Sequence, residues 1–184
     1  MELPFSRQRW VDHQFNLGID IGWSQNIITR ISDIGIRCQY HCDGLSEELL
    51  STRKNQEWSI KEHIGHLIDL EALHLHRIHQ FKELKTELTA ADMSNQKTKD
   101  ANHNNKLLKD LIAELIVERE NLIHQYQSLP VESLDHYSLH PRLNVKMRPV
   151  DLLFFIGEHD DHHLSTIIQL KKKFVKTKTD KQHE

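Results

Sequence analysis

The sequence predicts an all-α protein, a four-helix bundle with long connections between its helices. Three observations favour this fold class. The 184 residues include only 6 glycines and 4 prolines, which favours long helices over a turn-rich β fold. Apolar residues recur at three- and four-residue steps in four long stretches, which is the period of an amphipathic helix. Amphipathic helices of such length bury their apolar faces against one another, and four of them make a bundle.

The chain is long enough for one full core and too short for two comfortable domains. We therefore expect a single domain over residues 1–184, with its core at about 10–172. The lysine-rich segment 173–184 is expected to be a polar, solvated tail.

Capping and proline signals mark the ends of the predicted helices. Ser59 and Glu62 have the spacing of a capping box, which explains Glu62 without a catalytic role. Pro149 suits the first turn of the last helix. The connections at 89–104 and 130–148 are long enough to permit a topology other than up-down-up-down. In chain order, helices are predicted over about residues 10–36, 59 to 84–88, 106–127 and 149–172, with a short helical turn at 45–50.

Two histidines lie one turn apart on the apolar side of the last predicted helix. On a helical wheel His163 lies about 40° from His159, and both fall among the leucines and isoleucines of that helix. An unpaired buried polar group costs about 1–3 kcal/mol, so each ring needs partners for both nitrogens. The pair either shares one metal ion or forms hydrogen bonds as core histidines. A catalytic metal would need a third protein ligand from elsewhere.

The second predicted helix offers candidates for that third ligand. His63 and His66 both lie on the side of the helix near its apolar border. Glu71 falls near the centre of the apolar arc, where a bare carboxylate is costly. It is expected either to pair with a histidine or arginine across the bundle, or to act as a base near the metal.

Composition and charge exclude several function classes. A formal net charge of −3 gives no reason to expect nucleic acid or an acidic membrane as the main partner. No apolar run approaches about 18 residues, so no membrane span is expected. The first residues lack the pattern of a secretory signal. Cys38 and Cys42 lack a second pair for a structural zinc site and are expected to be reduced thiols. A cytoplasmic location is the expectation.

Two blocks of the sequence carry a family resemblance. The blocks are Trp58-Ser59 with His66-Leu67 and Asp69, and His140-Pro-Arg142 with Met147-Arg-Pro149 and Glu158-His-Asp-Asp-His-His-Leu164. They resemble the DinB-like family of four-helix metal-binding proteins. The resemblance extends from about residue 15 to 170, and the two blocks together are more specific than either alone.

The resemblance implies a metal site and its ligands. In that family one histidine of the second helix and an H-x-x-x-H pair of the fourth bind a divalent ion. By position these are His66, His159 and His163, so the resemblance chooses His66 over His63. Three histidines with an open position suit zinc, nickel or iron; family members are known with zinc or nickel.

Three further residues near the expected ligands have open roles. His162 is the alternative ligand on the last helix, although it points toward the flank of the apolar face. Asp69 and Asp160 are expected either to hydrogen-bond the ligand imidazoles or to be surface charges.

The function that the resemblance implies is that of a metal-dependent enzyme. Hydrolysis and thiol-dependent transfer both fit, with a small-molecule substrate and, for transfer, a low-molecular-weight thiol. No dedicated general base is evident, so a metal-activated water or thiol is the expected nucleophile. Family members are often dimeric, which makes a homodimer an expectation. The alternatives are a non-catalytic metal- or small-ligand-binding stress-related protein, and a metal-free bundle that acts through its surface as a dimer.

Overall fold

The computed structural model describes residues 7–54 and 57–180. Helix accounts for 66% and strand for 4% of the structure, which confirms the all-α prediction. No helix in the described ranges is both long and apolar enough to cross a membrane. The elements are α1 (Ser24–Ser32), α2 (Ile34–Cys42), α3 (Glu47–Ser51), α4 (Ile60–Lys82), α5 (Gln96–Asp100), α6 (Leu108–Gln127), α7 (Val131–Leu134), the antiparallel strands β1 (Ser138–His140) and β2 (Val145–Met147), and α8 (Pro149–Asp180).

Four long segments form the bundle: the α1–α2 pair, α4, α6 and α8. Both α4 and the α1–α2 pair pack against α6 and α8, so the first and second long segments face each other across the diagonal. Ser59, just before α4, donates a hydrogen bond to Asn104, just before α6, so these two helices run in the same direction. The connection over 83–107 therefore returns along the bundle, and the topology is not up-down-up-down.

The first helix is shorter at its start than the prediction of 10–36. Gly18 has a φ of 88°, which a right-handed helix does not allow. The backbone N–H groups of Gly18 and Ile19 donate to Oδ1 of Asp151 at 2.7 and 2.9 Å, so this segment is fastened to the start of α8 instead of continuing a helix. Its apolar side chains still pack on the core, which explains why their spacing resembled that of a helix.

The predicted capping box at the start of α4 is present. The N–H of Glu62 donates to Oγ of Ser59 at 3.2 Å, and the N–H of Ser59 donates to the Glu62 carboxylate at 2.9 Å. Arg53 also donates to that carboxylate, which confirms a structural role for Glu62. At the other end α4 stops at Lys82, because Leu84 adopts a left-handed conformation with a φ of 54°.

The last helix is longer than predicted. α8 extends to Asp180, so most of the expected polar tail at 173–184 continues the helix. The end of that tail, 181–184, lies outside the described residues. The connection at 89–104, predicted as a loop, contains α5, and the connection at 130–148 contains α7 and the β hairpin.

A buried arginine on α6 binds each of the other three bundle segments. Arg119 of α6 is 1% exposed and donates to Glu71 of α4 at 2.6 Å, to Asp160 of α8 at 2.5 Å and to the carbonyl of Ile31 in α1 at 3.0 Å. Burial disfavours its charge, but Asp160 and Glu71 together raise its pKa. Burial raises the pKa of Glu71 to about 6 against the attraction of Arg119. Glu71 therefore makes the ion pair that was one of its two expected roles.

Asp160 has neither of the roles expected from the sequence. It is 1% exposed, so it is not a surface charge, and its carboxylate hydrogen-bonds Arg119 instead of a neighbouring imidazole. Sequence periodicity could not predict this ion pair. The partner of Asp160 is an arginine on another helix, α6, and periodicity along one helix does not show which residues of two helices meet.

We predict that Arg119→Ala lowers the free energy of unfolding by about 3–5 kcal/mol, because it leaves two carboxylates buried without a counter-charge. Urea unfolding followed by circular dichroism measures the change. Glu120→Ala, at an exposed position on the same helix, is the control and should change stability by no more than about 0.5 kcal/mol. Equal effects of the two substitutions would contradict the structural importance of the ion pair.

Candidate metal centre

Three buried histidines from two helices converge inside the bundle. One ring nitrogen from each of His66, His159 and His163 lies within 4.8 Å of the other two. Nε2 of His159 and Nε2 of His163 are 3.1 Å apart. The three residues are 5–6% exposed. The structure thus brings together the residues that the family resemblance identified, and it shows the inward orientation that periodicity predicted for the pair on α8.

A threonine from the 83–107 connection determines which nitrogen of His66 is available. Oγ1 of Thr98 lies 3.0 Å from Nδ1 of His66, and the hydroxyl also hydrogen-bonds Asp69. A hydroxyl has one hydrogen, and a carboxylate can only accept, so Thr98 donates to Asp69 and accepts from Nδ1 of His66. This assigns the hydrogen of His66 to Nδ1 and leaves a lone pair on Nε2.

His63, the other candidate for the third ligand, contacts the cluster from one side. Its Nδ1 lies 2.8 Å from Nδ1 of His163. When His163 donates the hydrogen on its Nδ1 to His63, the lone pair of His163 stays on Nε2, the nitrogen that faces His159. His63 therefore orients a member of the cluster instead of belonging to it.

The cluster is electrically neutral at neutral pH. Burial, with His103 as a lesser cause, lowers the pKa of His66 to about 4 against the attraction of Asp69. Burial and the neighbouring imidazoles hold the pKa values of His159 and His163 well below the usual value. Imidazoles bind metal ions in the neutral form, so this environment favours the ligand state.

His103 extends the hydrogen-bond chain that begins at His66. Its Nε2 lies 2.9 Å from Oδ2 of Asp69. Burial opposes the charge of Asp69, but the hydrogen bonds from His103 and Thr98 lower its pKa below the usual range. Asp69 thus acts on His66 through Thr98, which is an indirect form of one of the roles expected for it. The His103 ring lies directly against Gly65, where a Cβ would overlap it.

An open cleft with a volume of about 510 Å³ lies beside the cluster. His63 and His162 line it, together with Trp58, whose ring centroid is 4.8 Å from that of His66. His162 is half-buried and lies outside the three-nitrogen cluster, in agreement with its predicted orientation toward the flank. On the other side, the ring of Trp10 covers His159 at 4.9 Å between centroids.

Sequence reasoning missed Thr98, His103 and Trp10 as parts of this site. The first two lie in a polar stretch without apolar periodicity, and Trp10 was assigned to a helix. One signal was available: Gly65 lies inside a helical pattern, and an isolated glycine there often marks the close approach of another group.

We predict that Gly65→Ala destabilises the protein by about 1–3 kcal/mol, because the new methyl group displaces the His103 ring. In a His103→Ala background the same substitution should be neutral or stabilising by up to about 1 kcal/mol, since alanine favours a helix. Urea unfolding of the four proteins measures both effects. The same cost in both backgrounds would show that His103 is not the group displaced.

Comparisons with solved structures show a related fold. YfiT from Bacillus subtilis, described as a probable metal-dependent hydrolase with an unusual four-helix bundle topology, superposes with a TM-score of 0.74 at 13% identity, over 88% of this chain and 93% of YfiT. A mycothiol-dependent maleylpyruvate isomerase superposes with a TM-score of 0.61 at 8% identity, over 77% of this chain and 59% of the isomerase. The four-helix-bundle prediction is thereby confirmed.

Sequence comparisons identify the family. The uncharacterized protein YuaE of Bacillus subtilis (strain 168) is 32% identical over 144 residues, which are 71% of this chain and 88% of YuaE. The family model of the DinB superfamily matches residues 37–167. The match includes all three histidines of the cluster. The chain belongs to the DinB superfamily.

Proposed function

We propose that this protein is a divalent-metal-dependent enzyme in which His66, His159 and His163 hold the ion. The observation that carries the proposal is the convergence of three neutral imidazole nitrogens within 4.8 Å inside the bundle. Three histidines that leave a position open are a ligand set typical of catalytic metal sites. Zinc, nickel and iron all accept such ligands.

The donor set fits an ion of this kind. Two nitrogens bound tetrahedrally at about 2.0–2.1 Å from one ion lie about 3.3 Å apart, close to the 3.1 Å between Nε2 of His159 and of His163. The partners of the other nitrogens support the same orientation: Thr98 binds Nδ1 of His66, and His63 binds Nδ1 of His163. Such outer hydrogen bonds commonly orient metal-binding histidines.

A bound divalent ion would supply Lewis-acid activation of a carbonyl group and would lower the pKa of a coordinated water or thiol. Burial, followed by nearby charges, lowers the pKa values of His63 and His162 to about 4, so both are weak bases. His63 instead serves as the hydrogen-bond partner of His163. Glu71 is held by Arg119, which argues against its second expected role, that of a base near the metal.

The reaction we propose is hydrolysis or thiol-dependent transfer on a small molecule. The cleft beside His63 and His162 provides access for a substrate of that size. The description of YfiT as a probable metal-dependent hydrolase and the thiol dependence of the isomerase support these two chemistries. Both reactions require an ion with an exchangeable position, which a three-histidine site provides.

We predict that the purified protein contains about one divalent ion per chain and that His159→Ala loses it, because two imidazoles hold such an ion weakly. Inductively coupled plasma mass spectrometry measures the metal content. His79→Ala, at an exposed histidine of α4, is the control and should retain the ion. Full metal content in His159→Ala would contradict the ligand assignment.

We further predict that Thr98→Val weakens metal binding by about 10- to 100-fold without changing the number of ions bound. Valine preserves the shape of threonine and removes the hydroxyl between His66 and Asp69. Competition with a chromophoric chelator measures the affinity. An unchanged affinity would show that Thr98 does not orient His66.

Catalysis is tested with the metal-loaded protein against amide and ester substrates, and against electrophiles in the presence of low-molecular-weight thiols. We expect turnover that His159→Ala abolishes and His79→Ala retains. A protein that holds its ion and remains inert to the whole panel would instead favour a non-catalytic metal-binding role.

A further inference from the structure

Two arginines near the histidine cluster have no carboxylate partner among the described residues. Arg77 of α4 is 1% exposed, and its Nε and Nη2 donate to the carbonyl of Thr89 at 3.0 and 2.8 Å. Arg142, in the turn between β1 and β2, has a buried Nη2 without a hydrogen-bond partner. Burial and then the charge of Arg142 lower the pKa of Arg77 to about 10, and burial lowers the pKa of Arg142. The two guanidinium groups therefore add positive charge to a poorly solvated region.

The imidazoles beside these arginines also have unpaired nitrogens. Nδ1 of His74 and Nε2 of His140 are buried without partners, and so is Nδ1 of His159 in the cluster itself. Burial is the main cause that lowers the pKa values of His74 and His140, and the charges of the nearby arginines lower them further. These imidazoles are therefore neutral. Several hydrogen-bonding groups in this region thus lack a partner among the residues that the structure describes.

Two aromatic rings, those of Trp10 and Phe155, lie between this region and the cluster. The guanidinium carbon of Arg142 lies 5.9 Å from the ring centroids of both Trp10 and Phe155. The Trp10 ring contacts His159, and the ring of His140 lies 5.2 Å from that of Phe155. Arg142 and His159 therefore both lie beside the ring of Trp10.

An unpaired buried polar group is costly, and a desolvated charge costs more, so a ligand that satisfies these groups is favoured. A carboxylate is the ligand that the planar fork of an arginine matches best, through two parallel hydrogen bonds. Neutral imidazoles can each add one N–H donor.

We propose that Arg142, backed by Arg77 and by the unpaired nitrogens of His74 and His140, binds a carboxylate of the substrate. The opposite end of the same molecule then reaches the ion held by the histidine cluster. Contact of the other end with the ion rests on the proposed function. Binding of the carboxylate by Arg142 does not depend on it. The subsite restricts the substrates to small carboxylic acids and their derivatives that keep one free carboxylate.

The test uses the zinc-loaded full-length protein and two probes, 3-mercaptopropionate and 3-mercaptopropionamide, which differ only in the charged group. Isothermal titration should show at least about tenfold tighter binding of the acid, because charge-assisted bidentate hydrogen bonds are strong. Arg142→Gln should reduce the preference to within about twofold. Equal affinities in the unchanged protein, or a preference that Arg142→Gln retains, would overturn the proposal.

Two further variants separate the contact from general effects of charge and folding. Lys146→Gln removes a positive charge from an exposed position of the same hairpin and should keep the full preference for the acid. Arg142→Lys keeps the charge without the planar fork and should keep an intermediate preference. Zinc content and thermal unfolding show whether each variant is folded. Loss of the preference in Lys146→Gln would show a long-range charge effect and no specific subsite.

A thiol-free arm separates failure of the subsite from failure of the proposed function. Propionate and propionamide are added to the metal-free protein, and saturation-transfer NMR measures their binding. A propionate signal that Arg142→Gln abolishes supports the carboxylate subsite, whether or not the thiols bind the zinc-loaded protein. If neither thiol binds the zinc-loaded protein, that result counts against the proposed function alone. Absence of any propionate signal overturns the subsite even if both thiols bind.

Discussion

The buried ion pair at Arg119 is the constraint on which the rest of the structure depends. One guanidinium group binds a carboxylate on α4 and a carboxylate on α8, and so it fixes how these two helices are aligned along the bundle axis. Asp160 immediately follows His159, and Glu71 lies a little over one turn after His66. The alignment that satisfies the arginine is therefore the same alignment that brings the histidines of the two helices to one level.

The histidine cluster combines burial with a supply of polar partners from outside its own helices. Neutral imidazoles inside a bundle are stabilised by partners for the nitrogens that do not face the cluster, because unpaired buried groups are costly. Nδ1 of His159 has no such partner among the described residues. Thr98 and His63 provide such partners for His66 and His163. The nearby carboxylates of Glu71 and Asp160 bind Arg119 and do not belong to the cluster. The cluster is therefore less negative than a metal site built from carboxylates. In the proposed metal site, a bound ion would therefore keep more of its positive charge for a substrate.

Periodicity along one helix was sufficient to predict the features that depend on a single helix. It predicted that His159 and His163 face inward, and the capping box at Ser59 predicted the start of α4. Features that depend on contacts between distant segments could not be predicted in this way. Residues 10–20 have the apolar spacing of a helix, but Asp151 binds the backbone N–H groups of Gly18 and Ile19, and no α-helix forms there. Family resemblance, not spacing, was needed to choose between the two histidine candidates on α4.

The parallel arrangement of α4 and α6 has a consequence for how this site can vary. Because the chain returns along the bundle between α4 and α6, one continuous segment, 83–107, passes both His66 and Arg77. At one level it holds His66 through Thr98, and at another it holds Arg77 through the carbonyl of Thr89. Exchange of this single segment between homologues would change the partners of both residues while the four long helical segments stay the same.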